Sequence, residues 1–253
     1  MYCLRCCLLA LLLLCAHAQE RLRLASGEWP PYAGEALPGG GLGAHIISAA
    51  FAEADIVVEY QYLSWKRGLE MARQGKLDGA ILWGGQRADQ QEFLATQPVV
   101  TSQVVLFHRR EKPLDGKAPV KGYRLAYPNG YDYEVIPGFI ALAQASGIAP
   151  LKTGSDRDAL RALLNNRIDA YPADRLVGIY LLQEAMYDHW QEHIAITPSP
   201  LSIEELGVLI SQRHPHAKQL VRRFNAGLAA LQQKGLIARW LAEADLPAAK
   251  SHQ

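Results

Sequence analysis

Gln74-Gly75-Lys76-Leu77-Asp78-Gly79-Ala80 and Asn165-Asn166-Arg167-Ile168-Asp169-Ala170 carry one phrase at two places in the chain. With Asp78 set on Asp169, Gly75 falls on Asn166. Those two residue types best tolerate the left-handed conformation that ends a helix. The basic residue beside each, Lys76 or Arg167, can interact with the helix's negative end. An apolar residue and an aspartate then lead into a strand pattern, Ala80-Ile81-Leu82-Trp83 in one copy and Ala170-Tyr171 in the other. Two copies of one helix-stop-strand unit predict two similar α/β lobes, with a cleft between them in which a ligand is held.

Around the first copy, Arg21 to Ala25 alternates polar and apolar residues, as a half-buried first strand does. A Gly/Pro-rich loop runs from Gly27 through Trp29-Pro30-Pro31-Tyr32 to Gly43. His45 to Phe51 reads as a helix and Val58 to Tyr62 as a strand. Ser64 is placed to cap a helix carrying Trp65, Leu69 and Ala72. Leu77 to Trp83 is the third strand and the apolar run Val104 to Phe107 the fourth. The polar stretch from Arg109 to Lys117 then reads as a connector. It sets 19–108 as the first part of lobe 1, 109–112 as the first hinge crossing and 113–198 as lobe 2.

Around the second copy the strand pattern restarts at Arg124 to Tyr127, followed by the turn Pro128-Asn129-Gly130 and a helix that stops at Gly147. Ser155 caps a helix with Leu160, Leu163 and Leu164; a further helix holds Leu176 and Ile179 to Leu181; His193 to Thr197 is a strand. Pro198-Ser199-Pro200 stiffens a return crossing at 199–202. The remainder, 203–253, has a buried strand at Leu206 to Ile210. Leu220, Phe224, Leu228 and Leu231 then recur at helical spacing, and that stripe needs lobe 1 as its host. A chain that goes out, across and back makes a two-stranded hinge, about which lobes open and close.

Residues 1–18 have the layout of a cleaved secretory signal: Arg5, the apolar stretch Leu8 to Leu14, and Ala16-His17-Ala18. Cys15 follows Leu14 where lipoprotein processing calls for a small residue, so cleavage after Ala18 is expected. All four cysteines lie in this segment, so the chain from Gln19 needs no disulfide. Of the 26 basic residues only Arg5 lies there, which leaves 25 basic against 25 acidic side chains. Such neutrality argues against nucleic acid or an anionic membrane as partner, and no apolar run is long enough to embed the chain in a bilayer.

Several phrases in order resemble a family. They are Trp29-Pro30-Pro31-Tyr32, Gly41-Leu42-Gly43, Trp65-Lys66-Arg67-Gly68-Leu69, Gly75-Lys76-Leu77-Asp78-Gly79, Gln86-Arg87, Asn166-Arg167-Ile168-Asp169-Ala170 and Phe224-Asn225-Ala226-Gly227-Leu228. Together they resemble the periplasmic solute-binding proteins of the polar amino-acid type, members of ABC importer systems, from Leu22 to Leu241. The resemblance implies an α/β, two-lobed periplasmic-binding-protein fold (type II) with lobes joined by two crossing segments. It also implies a small amino-acid-like ligand, an inner-membrane ABC permease as partner, a periplasmic monomer, and no cofactor or metal.

The resemblance also assigns residues. Arg87 stands where family members clamp a ligand's α-carboxylate, and its planar fork suits two parallel hydrogen bonds to one; by residue type alone it is an ordinary surface arginine. Asp174 matches the position that holds the α-ammonium, and it is equally an N-cap for the following helix. Trp29, Tyr32, Trp65 and Trp83 fall on loops or strand ends that face the cleft in this family, where rings sandwich a ligand, although such aromatics also serve as plain core. Gly84 and Gly85 can offer backbone N–H groups to an anion. Tyr131 and Tyr133 precede a helix whose free N–H groups can do the same. Two departures stand out: the stretch before Arg87 lacks the family's hydroxyl residues, and Asp132 would oppose a carboxylate if it pointed inward.

Other classes of function compete. A dehydratase on this fold would use Glu28 or Asp174 as general acid. His189-Trp190-Gln191-Glu192-His193 fits a zinc-binding pattern that requires a helix and a third ligand; the helical pattern stops near His189, which argues against it. A ligand-presenting sensor subunit is the third.

Overall fold

The computed structural model describes residues 19–85, 91–115, 121–128 and 136–245. In chain order the strands are β1 (Glu20–Ser26), β2 (Ile56–Tyr62), β3 (Gly79–Gly84), β4 (Phe93–Ala95), β5 (Val100–Arg109), β6 (Ala126–Pro128), β7 (Leu151–Thr153), β8 (Ala170–Asp174), β9 (Ile194–Ile196) and β10 (Ser202–Ser211). The helices are α1 (Leu42–Ala52), α2 (Trp65–Arg73), α3 (Pro137–Ser146), α4 (Asp156–Leu164), α5 (Arg175–Met186), α6 (Ala217–Gln233) and α7 (Leu236–Asp245). The expected signal segment 1–18 lies outside the described residues. No helix among them is long and apolar enough to cross a membrane.

The strands form the same order twice. In lobe 1 it is β2-β1-β3-β10-β4, with β1 parallel to β2 and β3 and with β10 antiparallel to β3 and β4. In lobe 2 it is β7-β6-β8-β5-β9. There β6 runs parallel to β7, Leu125 forms a parallel bridge to Ala170, and β5 is antiparallel to β8 and β9. In each lobe the fourth strand is the one that reaches over from the other. β5 pairs with β10 over Val100 to Val104 and then with β8 over Val104 to His108. β10 pairs with β5 over Ser202 to Leu206 and then with β3. The two crossings thus form one short antiparallel ribbon. The crossings were expected at 109–112 and 199–202; β5 changes partner at Val104 and β10 at Leu206, and Ser202 is already paired with Val104 in the ribbon. Both changes happen inside continuous strands, and in β10 the change is followed at once by Gly207 and a shift of register.

The repeated phrase does identical work in each lobe. Gly75 (φ 73°) and Asn166 (φ 58°) both take the left-handed conformation. Lys76 N–H then reaches back to Met71 O at 2.9 Å, and Arg167 N–H to Ala162 O at 2.8 Å, closing the ends of α2 and α4. The next residue, Leu77 or Ile168, is 1% exposed in either copy. Each aspartate then locks its lobe through three backbone bonds. Arg23 N–H donates to Asp78 Oδ2 at 2.7 Å, Asp78 N–H to Arg23 O at 2.9 Å, and Ser211 N–H to Asp78 O at 2.9 Å. In lobe 2, Arg124 N–H donates to Asp169 Oδ2 at 2.8 Å, Asp169 N–H to Arg124 O at 2.7 Å, and Arg109 N–H to Asp169 O at 3.1 Å. Ser211 and Arg109 are the last residues of the two crossing strands.

The copies differ in charge. Asp169 has no exposed side-chain surface and also meets Arg124 Nη2 at 2.9 Å, Lys112 Nζ at 3.1 Å and the Arg109 guanidinium. Among the described residues, the Asp78 carboxylate faces a more distant partner, His214 Nε2 at 4.0 Å. The C-terminal stripe packs on lobe 1 as expected, with Phe224 against Phe51 at 4.8 Å between ring centroids. The short strands β4 and β7 and the helix α7 were not expected; three-residue strands give too little periodicity to read.

Burial opposes the charge on Asp169, but the Arg124 guanidinium and backbone N–H, with Lys112 and Arg109, outweigh it and hold the carboxyl well below the usual carboxylate range. Its stabilisation is therefore complete above the unfolded pKa of ~4 and is lost as pH falls through the lower native value. In urea melts at pH 7, Asp169→Ala is expected to cost about 3 kcal/mol, since it strands charges that were paired. Asp78→Ala is expected to cost about 1.5 kcal/mol, and the gap between the two variants should shrink below pH ~4.

Candidate ligand-binding site

Open α/β sheets bind ligands outside the carboxyl ends of their parallel strands. Here those ends flank the ribbon from both sides. β3 ends at Gly84, paired with Leu206, and β8 ends at Asp174, paired with Val104. β1 ends at Ser26 and runs into Gly27, while β6 ends at Pro128. The seam between the lobes is therefore floored by β5 and β10 and walled by the residues that follow these strand ends.

The aromatics predicted there form two pairs. Trp65 opens α2, its indole lies against Gly27, and it meets Trp83 edge-on at 6.2 Å between ring centroids. Trp29 and Tyr32 approach to 4.6 Å in a turn closed by Trp29 N–H to Ala33 O at 2.8 Å. Trp29, Trp65 and Trp83 are partly exposed. Tyr32 is buried, and its carbonyl accepts the Gly43 and Ala44 N–H groups at the start of α1 at 2.8 and 3.3 Å. Trp83 is aimed by an irregularity: β3 pairs Ile81 with Val208 and Trp83 with Gly207, leaving Leu82 between them at φ 60°. Such a bulge bends the strand and redirects the side chains after it.

Asp174 is 1% exposed, and both its oxygens are engaged. Oδ1 accepts the Leu176 and Val177 N–H groups at 2.9 and 3.0 Å, capping α5. Oδ2 accepts the Ser102 hydroxyl at 2.8 Å and the Gln103 N–H at 3.2 Å. Burial raises its pKa, against the lowering effect of those four donors. The carboxylate thus ties the end of β8 to the first half of β5, which belongs to the ribbon.

Sequence reading missed two residues here. Ser102 lies in the buried phase of β5, between Val100 and Val104, while Thr101 and Gln103 are exposed. A hydroxyl at an apolar phase was the available signal. Glu204 lies in the same phase as Leu206 on β10 and stands opposite Ser102 in register. Its Oε1 lies so close to Gly84 that a Cβ on residue 84 would collide with it. Gly84 is buried and Gly85 partly exposed. Arg87, Tyr131, Tyr133 and Asp132 lie outside the described residues.

The competing motifs fall elsewhere. Glu28 Oε1 accepts the Glu35 N–H at 3.0 Å within its own loop. His189 is in a 3-10 helix, Tyr187–Glu192, not an α-helix; it is largely exposed, and its Nδ1 lies 3.4 Å from Glu192 Oε1. The His193 carbonyl accepts the Arg110 N–H at 2.8 Å. Among the described residues no three His, Cys, Asp or Glu side chains gather as metal ligands would.

Asp174→Ala removes the cap of α5 and a bond to the ribbon. It is expected to cost about 2 kcal/mol in urea unfolding, the upper end of the range for a lost cap, and Ser102→Ala about 1 kcal/mol.

No family model matches the chain, and neither does any curated protein sequence. Solved structures do. The GluR0 ligand-binding core in complex with L-glutamate superposes with a TM-score of 0.69 at 18% identity, covering 89% of this chain and 98% of that one. A histidine kinase sensor domain with similarity to periplasmic binding proteins gives 0.67 at 20% identity, covering 90% and 97%. The substrate-binding protein of an amino acid ABC transporter gives 0.67 at 16% identity, covering 89% and 99%. The fold expected from the sequence, the two-lobed periplasmic-binding-protein fold, is the one observed.

Proposed function

We propose that this chain captures one small polar, amino-acid-like solute between its lobes in the periplasm and presents it to an inner-membrane ABC permease. The observation that carries this reading is the convergence of strand ends from both lobes on a two-stranded ribbon, with Trp65, Trp83 and Trp29 at the seam. Partly exposed rings there supply apolar walls and faces for a cation. Closure matters because a permease that prefers the closed form selects the loaded molecule from the empty one. In this proposal Arg87 pairs with the ligand's carboxylate, Gly84 and Gly85 approach it with backbone N–H groups, and Tyr131 and Tyr133 close the site from lobe 2.

A sensor reading has one observation in its favour, the likeness to a histidine kinase sensor domain. It shares the same capture step and differs only in what the closed form meets.

A thermal-shift screen of the standard amino acids, polyamines and small organic acids is expected to return at least one stabilising solute. For that solute, calorimetry on Arg87→Ala should show affinity weakened about a hundredfold, the loss of ~3 kcal/mol from a charge-assisted pair. Unchanged affinity would remove Arg87 from the site, and turnover of prephenate or arogenate by the purified chain would replace capture with catalysis.

A further inference from the structure

Leu82 holds a backbone conformation that its residue type resists. It lies inside β3 at φ 60°, in the left-handed region, where a bulky side chain is an outlier. A bulge residue in that conformation is ordinarily glycine. Such strain persists only where the surroundings over-determine it, and it gathers at ligand clamps and switch regions.

Two sets of contacts over-determine Leu82. Across the sheet β10 is held from its other edge: the Val208 N–H donates to Thr96 Oγ1 at 3.0 Å, and the Val208 carbonyl accepts the Thr96 N–H at 3.0 Å. The extra residue therefore falls on β3. The Leu82 side chain, 6% exposed, runs onto the first turn of α1. Its Cδ2 lies 2.8 Å from where a Cβ on residue 43 would stand, so a methyl there would force it to shift. The same Gly43 donates its N–H to Tyr32 O at 2.8 Å, and the Leu42 N–H reaches Pro31 O at 2.8 Å. The turn that carries Trp29 and Tyr32 is thereby bonded to the residue on which Leu82 packs, and Leu82 is followed directly by Trp83.

We propose that Leu82 is a positioning residue for capture, whose left-handed backbone fixes where Trp83 stands at the seam before a solute arrives. This rests on the capture reading above. Trp65 needs no such device, because its indole lies on the backbone of Gly27, where a Cβ would come within 2.5 Å of it. Trp83 meets that indole edge-on and is aimed by the bend that Leu82 puts into β3. A wall fixed in advance spares the cost of ordering it on binding.

The test separates backbone from packing. Leu82→Gly accepts the left-handed conformation and loses the side chain, whereas Leu82→Val keeps most of the side chain and resists the conformation. Each is made in the chain from Gln19. Calorimetry uses the tightest binder among the standard amino acids, agmatine, putrescine and succinate. Far-UV circular dichroism reads the exciton couplet of the Trp65–Trp83 pair, identified as the part lost in Trp83→Ala. Leu82→Gly should melt lower for its lost side chain, yet keep the couplet and bind within about threefold of the parent. Leu82→Val should lose the couplet and bind about tenfold or more weaker. Gly43→Ala, whose methyl displaces the Leu82 side chain, should weaken binding in the same way, and adding Leu82→Gly to it should restore couplet and affinity. Affinity that falls with the volume removed, leaving Leu82→Gly the weaker binder and the double variant unrescued, overturns the assignment and leaves capture intact. Absence of binding by every solute in the set overturns both.

Discussion

An aspartate carboxylate that closes on the backbone of a lobe's first strand is the constraint from which the rest of this molecule follows. Asp78 accepts an N–H from Arg23 within β1, and Asp169 one from Arg124 just before β6; each returns an N–H to the same residue's carbonyl and takes the last N–H of a crossing strand on its own carbonyl. One residue thereby fixes helix end, first strand, third strand and crossing strand in register. Bonds of this kind are each worth about 1 kcal/mol net. Their importance lies in direction: they set where the carboxyl ends of β3 and β8 emerge, and both emerge beside the ribbon. The site is a consequence of that placement.

The two locks differ in strength for a reason that bears on movement. In lobe 2 the carboxylate is fully buried and meets Arg109, Lys112 and Arg124, so removing it would leave three cations facing one another. In lobe 1 the corresponding aspartate keeps some contact with solvent and has a distant histidine in place of the lysine. Arg109 is the end of β5, so the tighter lock anchors the crossing strand whose other half carries Ser102 and the bond to Asp174. The seam is thus tethered to lobe 2 through β5 and to lobe 1 through β10.

Much of this was legible in the sequence because it is local. The repeated phrase announced two helix ends, and the left-handed Gly75 and Asn166 stand where it placed them. The Ser155 cap is made, its side chain accepting the Asp158 N–H, and the C-terminal stripe found lobe 1. Ser64 holds the N-cap position without a side-chain bond, since its backbone geometry suffices. The crossings were harder to place, because each change of partner lies inside one unbroken strand, where alternation gives way to continuous burial at Val104 and at Leu206. Ser102 and Glu204 were missed for a related reason: their meaning comes from a cross-strand register that joins residues about a hundred positions apart, which periodicity cannot supply. Trp29 stands in its loop and Trp83 near the end of β3, while Trp65 opens α2; the Tyr32 ring packs on Trp29 and its carbonyl accepts the Gly43 and Ala44 N–H groups.

The central claim is that two locked lobes turn about one ribbon to close on a solute. The chain from Gln19 carries no cysteine, so spin labels can be placed cleanly at Arg67→Cys on α2 and Lys152→Cys on β7, both exposed positions in different lobes. Double electron–electron resonance between them should report a broad or long distance in the free molecule, and a shorter, narrower one when the stabilising solute is added. A single distance, unchanged by a solute that calorimetry shows to be bound, would contradict the account.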